Sequence, residues 1–314
     1  MKTVLKRLGL LLLTLLLVTV FAFLAFSVIP GDPTQSILGL EATDEQIAAL
    51  RARLGLDLPL WQRYLVWLGH FITGNFGESY SYEMPVAKLL SPLIPVTLTV
   101  AAIAFVLIVL ISLPVGILTA RHAGRLPDRV LTVLNQVVMS VPGFILGIGL
   151  TYLFSLVLHW FTLGDFSSGA EKGLGAYLGY LFFPALAIAL PKSAMVVKML
   201  RGSILAEMGQ DYVRTAYSKG NSKTSTLRRH VLRNAMIPVV TFLAVTVADI
   251  MAGSIVVEQV FAIPGVGQML VTSINNKDYP VVQAIIVLIG AVVVLCNFAA
   301  DGLYRVMDPR LREK

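Results

Sequence analysis

Charge is what this sequence has least of. Only 14% of its 314 residues are Asp, Glu, Lys or Arg, while 56% are hydrophobic. An ordinary soluble domain carries about 25% charged residues, so a surface this poor in charge would not stay soluble. Cysteine is nearly missing too: Cys296 stands alone inside an apolar run, which excludes a disulfide framework or a cysteine metal site within one chain. The four histidines, His70, His122, His159 and His230, fall in different loops or boundaries, and there is no His-Glu-x-x-His pair. No catalytic residue and no metal-ligand set is legible. A Gly-x-x-x-x-Gly-Lys-Ser/Thr phosphate loop is absent as well, so the chain does not itself hydrolyse nucleotide through such a loop.

What is present is apolar sequence in membrane-length pieces. Six intervals are long enough for helices of roughly 20 residues: Leu8–Ile29, Leu93–Ala120, Val130–Leu158, Tyr177–Val197, Val239–Val260 and Val281–Ala300. The fold class that follows is all-α, a polytopic membrane protein with about six transmembrane helices. Basic residues orient it, because Lys and Arg are retained on the cytoplasmic face. With both termini cytoplasmic, the inner parts hold 19 of the 25 Lys and Arg residues. The net charge of +7 is then a consequence of topology, and nucleic acid is not needed to explain it. Met1–Ile29 is read as an uncleaved first span, since its apolar run exceeds the roughly 7–15 residues of a cleavable signal.

The chain divides into a first span (1–29), a small helical extracytoplasmic segment (30–92) and a five-helix core (93–314) with a cytoplasmic loop at 201–234. In the outer segment Thr43 and Gln46 form a capping box, and Ile47, Leu50 and Leu54 give an apolar helical face that Gly55 can end. Leu60–Phe71 is amphipathic and rich in aromatics suited to a membrane interface. The second span contains Pro114 and Gly116. The third contains Pro142, Gly143, Gly147 and Gly149, and Gly143 with Gly147 make a small-xxx-small pattern that favours close helix packing or a hinge. Lys192 and Lys198 are expected to snorkel from the end of the fourth span. Asp249, midway along the fifth, is a candidate for a substrate path, or bonds Thr246 or another helix as packing glue, or is protonated.

The longest hydrophilic interval of the C-terminal two-thirds begins near Asp211. Its pattern predicts a short helix from Glu207 to Lys219, closed by Gly220, which can take the left-handed conformation. Asn221 and Ser222 then reverse the chain before Leu227–Asn234.

Several motifs, in order, resemble the permease subunits of bacterial binding-protein-dependent ABC importers of the oligopeptide/dipeptide/nickel group. They are Ile29-Pro30-Gly31-Asp32-Pro33, Leu54-Gly55-Leu56-Asp57, Phe76-Gly77-Glu78-Ser79, Asp211-Tyr212-Val213-Arg214-Thr215-Ala216 with Lys219-Gly220, and Arg229-His230 with Leu232-Arg233-Asn234-Ala235. Gly253-Ser254 through Glu258, Pro264-Gly265-Val266-Gly267-Gln268, Asp278-Tyr279-Pro280 and Asp308-Pro309-Arg310 continue the series. The resemblance implies a multi-pass protein of the bacterial inner membrane. It also implies that Asp211, Tyr212, Arg214, Thr215, Ala216 and Gly220 form a coupling helix that fits a groove on an ATPase subunit, small Ala216 permitting close approach. Implied partners are a second homologous permease, two cytoplasmic ATPase subunits that bind ATP and Mg, an extracytoplasmic solute-binding protein and membrane lipid. Tyr217 and Ser218 depart from the pattern. A di- or oligopeptide is the expected cargo. Nickel or a metal chelate remains an alternative, since Leu113–Asp128 is similar to the nickel-type members. A self-sufficient secondary transporter using Asp249 is the alternative from another class.

Overall fold

The computed structural model describes residues 2–28, 34, 43–53, 56–166 and 173–307. In chain order its helices are α1 (Lys2–Val28), α2 (Asp44–Arg53), α3 (Leu60–Ile72), α4 (Val86–Leu90), α5 (Leu93–Arg121), α6 (Leu126–Ser140) and α7 (Gly143–Leu150). They continue as α8 (Leu174–Met208), α9 (Asp211–Ser218), α10 (Lys223–Thr226), α11 (Leu232–Val260), α12 (Val266–Asn275) and α13 (Tyr279–Met307). Among the described residues no strand is formed, only an isolated bridge between Glu78 and Pro85. The motifs at Ile29–Pro33, Leu54–Gly55 and Asp308–Arg310 lie outside the described residues.

Among the described residues, five helical stretches are long and apolar enough to cross a membrane: Arg7–Ser27, Val86–Arg121, Leu174–Met208, Lys223–Val260 and Tyr279–Gly302. The predicted third span is not one helix. Its two halves, Leu126–Ser140 and Gly143–Val157, are bent by 99°, and the count reaches six only if this pair is one span. Pro142 is the cause. It has no N–H to donate, and its ring pushes the preceding residue out of the helical region; Val141 is accordingly extended (φ −91°, ψ 123°).

The chain forms two compact units, the first from Met1–Val96 with Pro264–Val294 and the second from Thr97–Ile263 with Leu295–Lys314. In the first, the Thr43 capping box is reciprocal. The Gln46 N–H donates to Thr43 Oγ1 (3.4 Å) and the Thr43 N–H to Gln46 Oε1 (3.0 Å), satisfying two donors that α2 leaves open. α3 lies on α1 through its aromatic face. Tyr64 and Trp67 sit 5.5 and 5.7 Å from the Phe23 ring, and the Tyr64 hydroxyl bonds Thr19 at 2.9 Å. Trp61 and Leu65, on the other face, remain exposed.

Asp278 organises the loop before α4. Fully buried, it accepts hydrogen bonds from the Ser79 hydroxyl (2.5 Å) and from the backbone N–H groups of Tyr80 (3.1 Å) and Ser81 (3.2 Å). Burial first, and the Asp278 carboxylate second, push the Tyr80 phenol from 10.0 up to about 12. Tyr80 is therefore neutral in the folded chain. Its contribution to stability is complete below pH 10 and is lost as pH rises toward 12. Asp278→Ala removes the acceptor of three donors, so thermal unfolding is expected to report a loss of about 2–4 kcal/mol; an unchanged midpoint would show that water replaces the carboxylate.

In the second unit, glycine lets α5 and α7 approach α8. A Cβ on Gly116 would lie 2.8 Å from Leu200 Cδ2, one on Gly143 3.2 Å from the Ala187 carbonyl oxygen, and one on Gly147 3.2 Å from the Phe261 ring. The Gly143–Gly147 pattern therefore serves close packing. Thr97 donates to Glu258 Oε1 at 2.7 Å, both side chains being buried. Asn135 donates to the Ala194 carbonyl at 2.8 Å, tying α6 to α8.

Candidate functional site

The short helix starts later than its sequence pattern predicts. Glu207 belongs to α8, which runs to Met208, and Gln210 is extended (φ −76°, ψ 151°), so α9 begins at Asp211. Glu207 still takes part. Its carboxylate accepts a hydrogen bond from the Tyr212 hydroxyl at 2.5 Å, and burial followed by this bond pushes the Tyr212 phenol up.

The other end closes as predicted. Gly220 has φ +82°, a conformation that favours glycine. Its N–H donates to the Tyr217 carbonyl (2.9 Å), and the Asn221 N–H to the Ala216 carbonyl (3.2 Å). This pair of bonds is the Schellman motif, which satisfies carbonyls that a helix end leaves open. Ser222 then caps the next helical run, its Oγ accepting from the Ser225 N–H at 3.3 Å.

Side-chain burial divides α9 into two faces. Val213 and Ala216, three residues apart, are 1% and 7% exposed. Ala216 is thus packed against its own chain. Asp211, Arg214, Thr215 and Ser218 are all exposed; their i, i+3, i+4, i+7 spacing places them on one stripe. Asp211 and Arg214 form an open ion pair at 3.8 Å, and Asp211 in the first turn complements the helix dipole. The helix is thus anchored on one face and charged on the other.

Two ion pairs in the second unit escaped the sequence reading. Asp128, side chain 4% exposed, accepts from Arg201 Nε and Nη2 in a parallel fork, both contacts 2.8 Å. It also accepts from the Gly124 N–H (2.8 Å) and the Thr132 hydroxyl (3.2 Å). Lys192 Nζ lies 2.6 Å from Asp249 Oδ2. Of the two expected partners of Asp249 it is thus another helix that binds it, while Thr246 donates to the Phe242 carbonyl. Lys192 is therefore held by a counter-charge rather than free to snorkel, while Lys198 is exposed. Separations of 73 and 57 residues leave no local pattern that could have announced either pair.

Comparison with known proteins adds to this geometry. Residues 112–313 match a family described as the binding-protein-dependent transport system inner membrane component, and residues 1–101 match its N-terminal counterpart. The chain is 34% identical over 309 residues, covering 98% of both chains, to a probable peptide ABC transporter permease protein of Sinorhizobium fredii. It is 37% identical over 311 residues, 99% of both chains, to the glutathione transport system permease protein GsiC of Salmonella choleraesuis. It is 31% identical over 312 residues, again 99% of both, to the dipeptide transport system permease protein DppB of Lactococcus lactis.

Proposed function

The chain belongs to the family of binding-protein-dependent transport system inner membrane components and is a multi-pass permease subunit of an ABC importer; on that premise we propose that it carries di- or oligopeptides and that α9 couples it to an ATPase subunit. The names of the relatives, peptide, glutathione and dipeptide permeases, support the cargo. The exposed stripe Asp211, Arg214, Thr215 and Ser218, on a helix fixed by Val213, Ala216 and the Gly220 cap, supports the coupling.

Permease subunits of this family are not themselves enzymes and work with other components of an ABC system. In the proposed assembly a second permease completes the path, two cytoplasmic ATPase subunits hold ATP and Mg, and an extracytoplasmic binding protein delivers the peptide. The basic residues around α9 support a cytoplasmic position for it and for both termini. Only Gly209 and Gln210 separate α8 from α9. A displacement of α9 by ATPase closure therefore passes into α8 and, through Arg201 and Asp128, into α6. Alternating access is the rocking of this rigid bundle.

ATP-dependent uptake by the co-purified complex in proteoliposomes, offered peptides and nickel chelates in parallel, tests the reading. The expected result is peptide uptake that needs ATP and the binding protein. Uptake of the metal chelate alone would replace the cargo, and uptake by this chain without ATP or partners would overturn the importer assembly.

A further inference from the structure

Lys192 and Asp249 use only part of their bonding capacity. The 2.6 Å contact is the one hydrogen bond that either side chain makes among the described residues. Two ammonium protons and the second carboxylate oxygen are left unspent. The side chains are 26% and 51% exposed, so these unspent atoms are open at the helix surface. Lys192 stands midway along α8 and Asp249 near the middle of α11. Charges at such a position are costly against hydrocarbon and belong on a bundle interior or a water-filled path.

The exposed face of α11 around Asp249 carries no further charge. Val245, Ala252, Gly253 and Val256 are exposed on the same face of α11, one turn before and one to two turns after it. A Cβ on Gly253 would meet nothing within 4 Å. Beside the ion pair this face of α11 is open in the single chain.

Resting on the peptide-importer reading, we infer that Lys192 and Asp249 form a charge-exchange station on the translocation path, selective for zwitterionic peptides. The peptide ammonium replaces Lys192 on Asp249, and the peptide carboxylate pairs with the Lys192 ammonium that Asp249 has released. When the peptide leaves, the internal pair closes again. An empty path thus never holds an orphaned charge, which is unfavourable at membrane depth. Selectivity follows from the same constraint. A peptide with free ends satisfies both side chains, whereas one blocked at either end leaves one of them unpaired at membrane depth.

The test uses the assembled complex with its binding protein in proteoliposomes, and compares trialanine with N-acetyl-trialanine and trialanine amide. Any discrimination by the binding protein is common to all permease variants and cancels in the comparison. In Asp249→Asn and in the apolar pair Lys192→Met with Asp249→Leu, trialanine uptake is expected to fall about tenfold or more, with ATP hydrolysis by the complex continuing. The preference for trialanine over its blocked forms should shrink by a similar factor. The exchanged pair, Lys192→Asp with Asp249→Lys, should recover most of both, and it serves as the readout if a single variant fails to assemble. Where neither blocked peptide is carried, the trialanine rate decides. Wild-type rate and preference in the apolar pair would overturn the inference and leave a packing ion pair. If the wild-type complex takes up no peptide at all, the peptide reading fails and this inference falls with it.

Discussion

Arg201→Met is expected to lower the stability of the detergent-solubilised protein by about 3–5 kcal/mol, the usual consequence of removing one partner from a buried ion pair. The Asp128 carboxylate, 4% exposed, cannot reach water when its guanidinium is taken away. It would keep only the Gly124 N–H and the Thr132 hydroxyl, too little for a buried charge. Asp128→Leu alone strands Arg201 in the same way, though less severely, because that side chain is 30% exposed. Made together, the two substitutions replace a charged contact by an apolar one of similar volume, and the double variant should be more stable than the sum of the singles predicts, by about 2–3 kcal/mol. Thermal unfolding of the four proteins measures this directly. Additive effects would mean that the fork contributes nothing as a pair, and the link from α8 to α6 would lose its mechanical meaning.

The second large effect is expected at α9, and it separates interface from fold. Arg214→Glu with Thr215→Tyr alters only the exposed stripe. The chain should melt as the wild type does, while its ATPase subunits dissociate about a hundredfold more readily, the scale of an interfacial hot spot, and peptide uptake disappears. Ala216→Arg looks similar on paper and differs in kind. At 7% exposure position 216 has no room for a guanidinium, so the variant should melt early and lose its ATPase through the misplacement of the whole helix. Native stoichiometry and native uptake in the Arg214/Thr215 variant would remove α9 from the proposed contact.

Features confined to one turn were legible from sequence. The Thr43 and Gln46 capping box and the Gly220 cap each rest on bonds between residues three to five apart, and glycine spacing announced the close packing of Gly143 and Gly147. The long apolar runs followed from composition alone. What could not be read is the pairing of polar groups across the fold. Ser79 and Asp278 both fell in motifs of the family, yet nothing local says that one hydroxyl meets one carboxylate 199 residues away. The same holds for Thr97 with Glu258 and for Lys192 with Asp249. The bend at Pro142 is an intermediate case. Proline gave the position of the break, but an angle of 99° depends on what the two halves pack against. For the candidate site, the motif supplied residues; burial supplied the face, and moved Ala216 from the outward side to the inward one.

The Asp278 contact also sets an order in time. The second unit is built mainly from one continuous stretch, Thr97–Ile263, whereas the first needs Pro264–Val294 as well as the N-terminal segment. The loop at Ser79–Ser81 waits for an acceptor that is still 199 residues from being made. At roughly 5–20 residues per second that interval is about 10–40 s. The part of the chain made first is thus among the last to be finished, and a ribosome that stops short of residue 278 releases a protein whose Ser79–Ser81 loop lacks this acceptor.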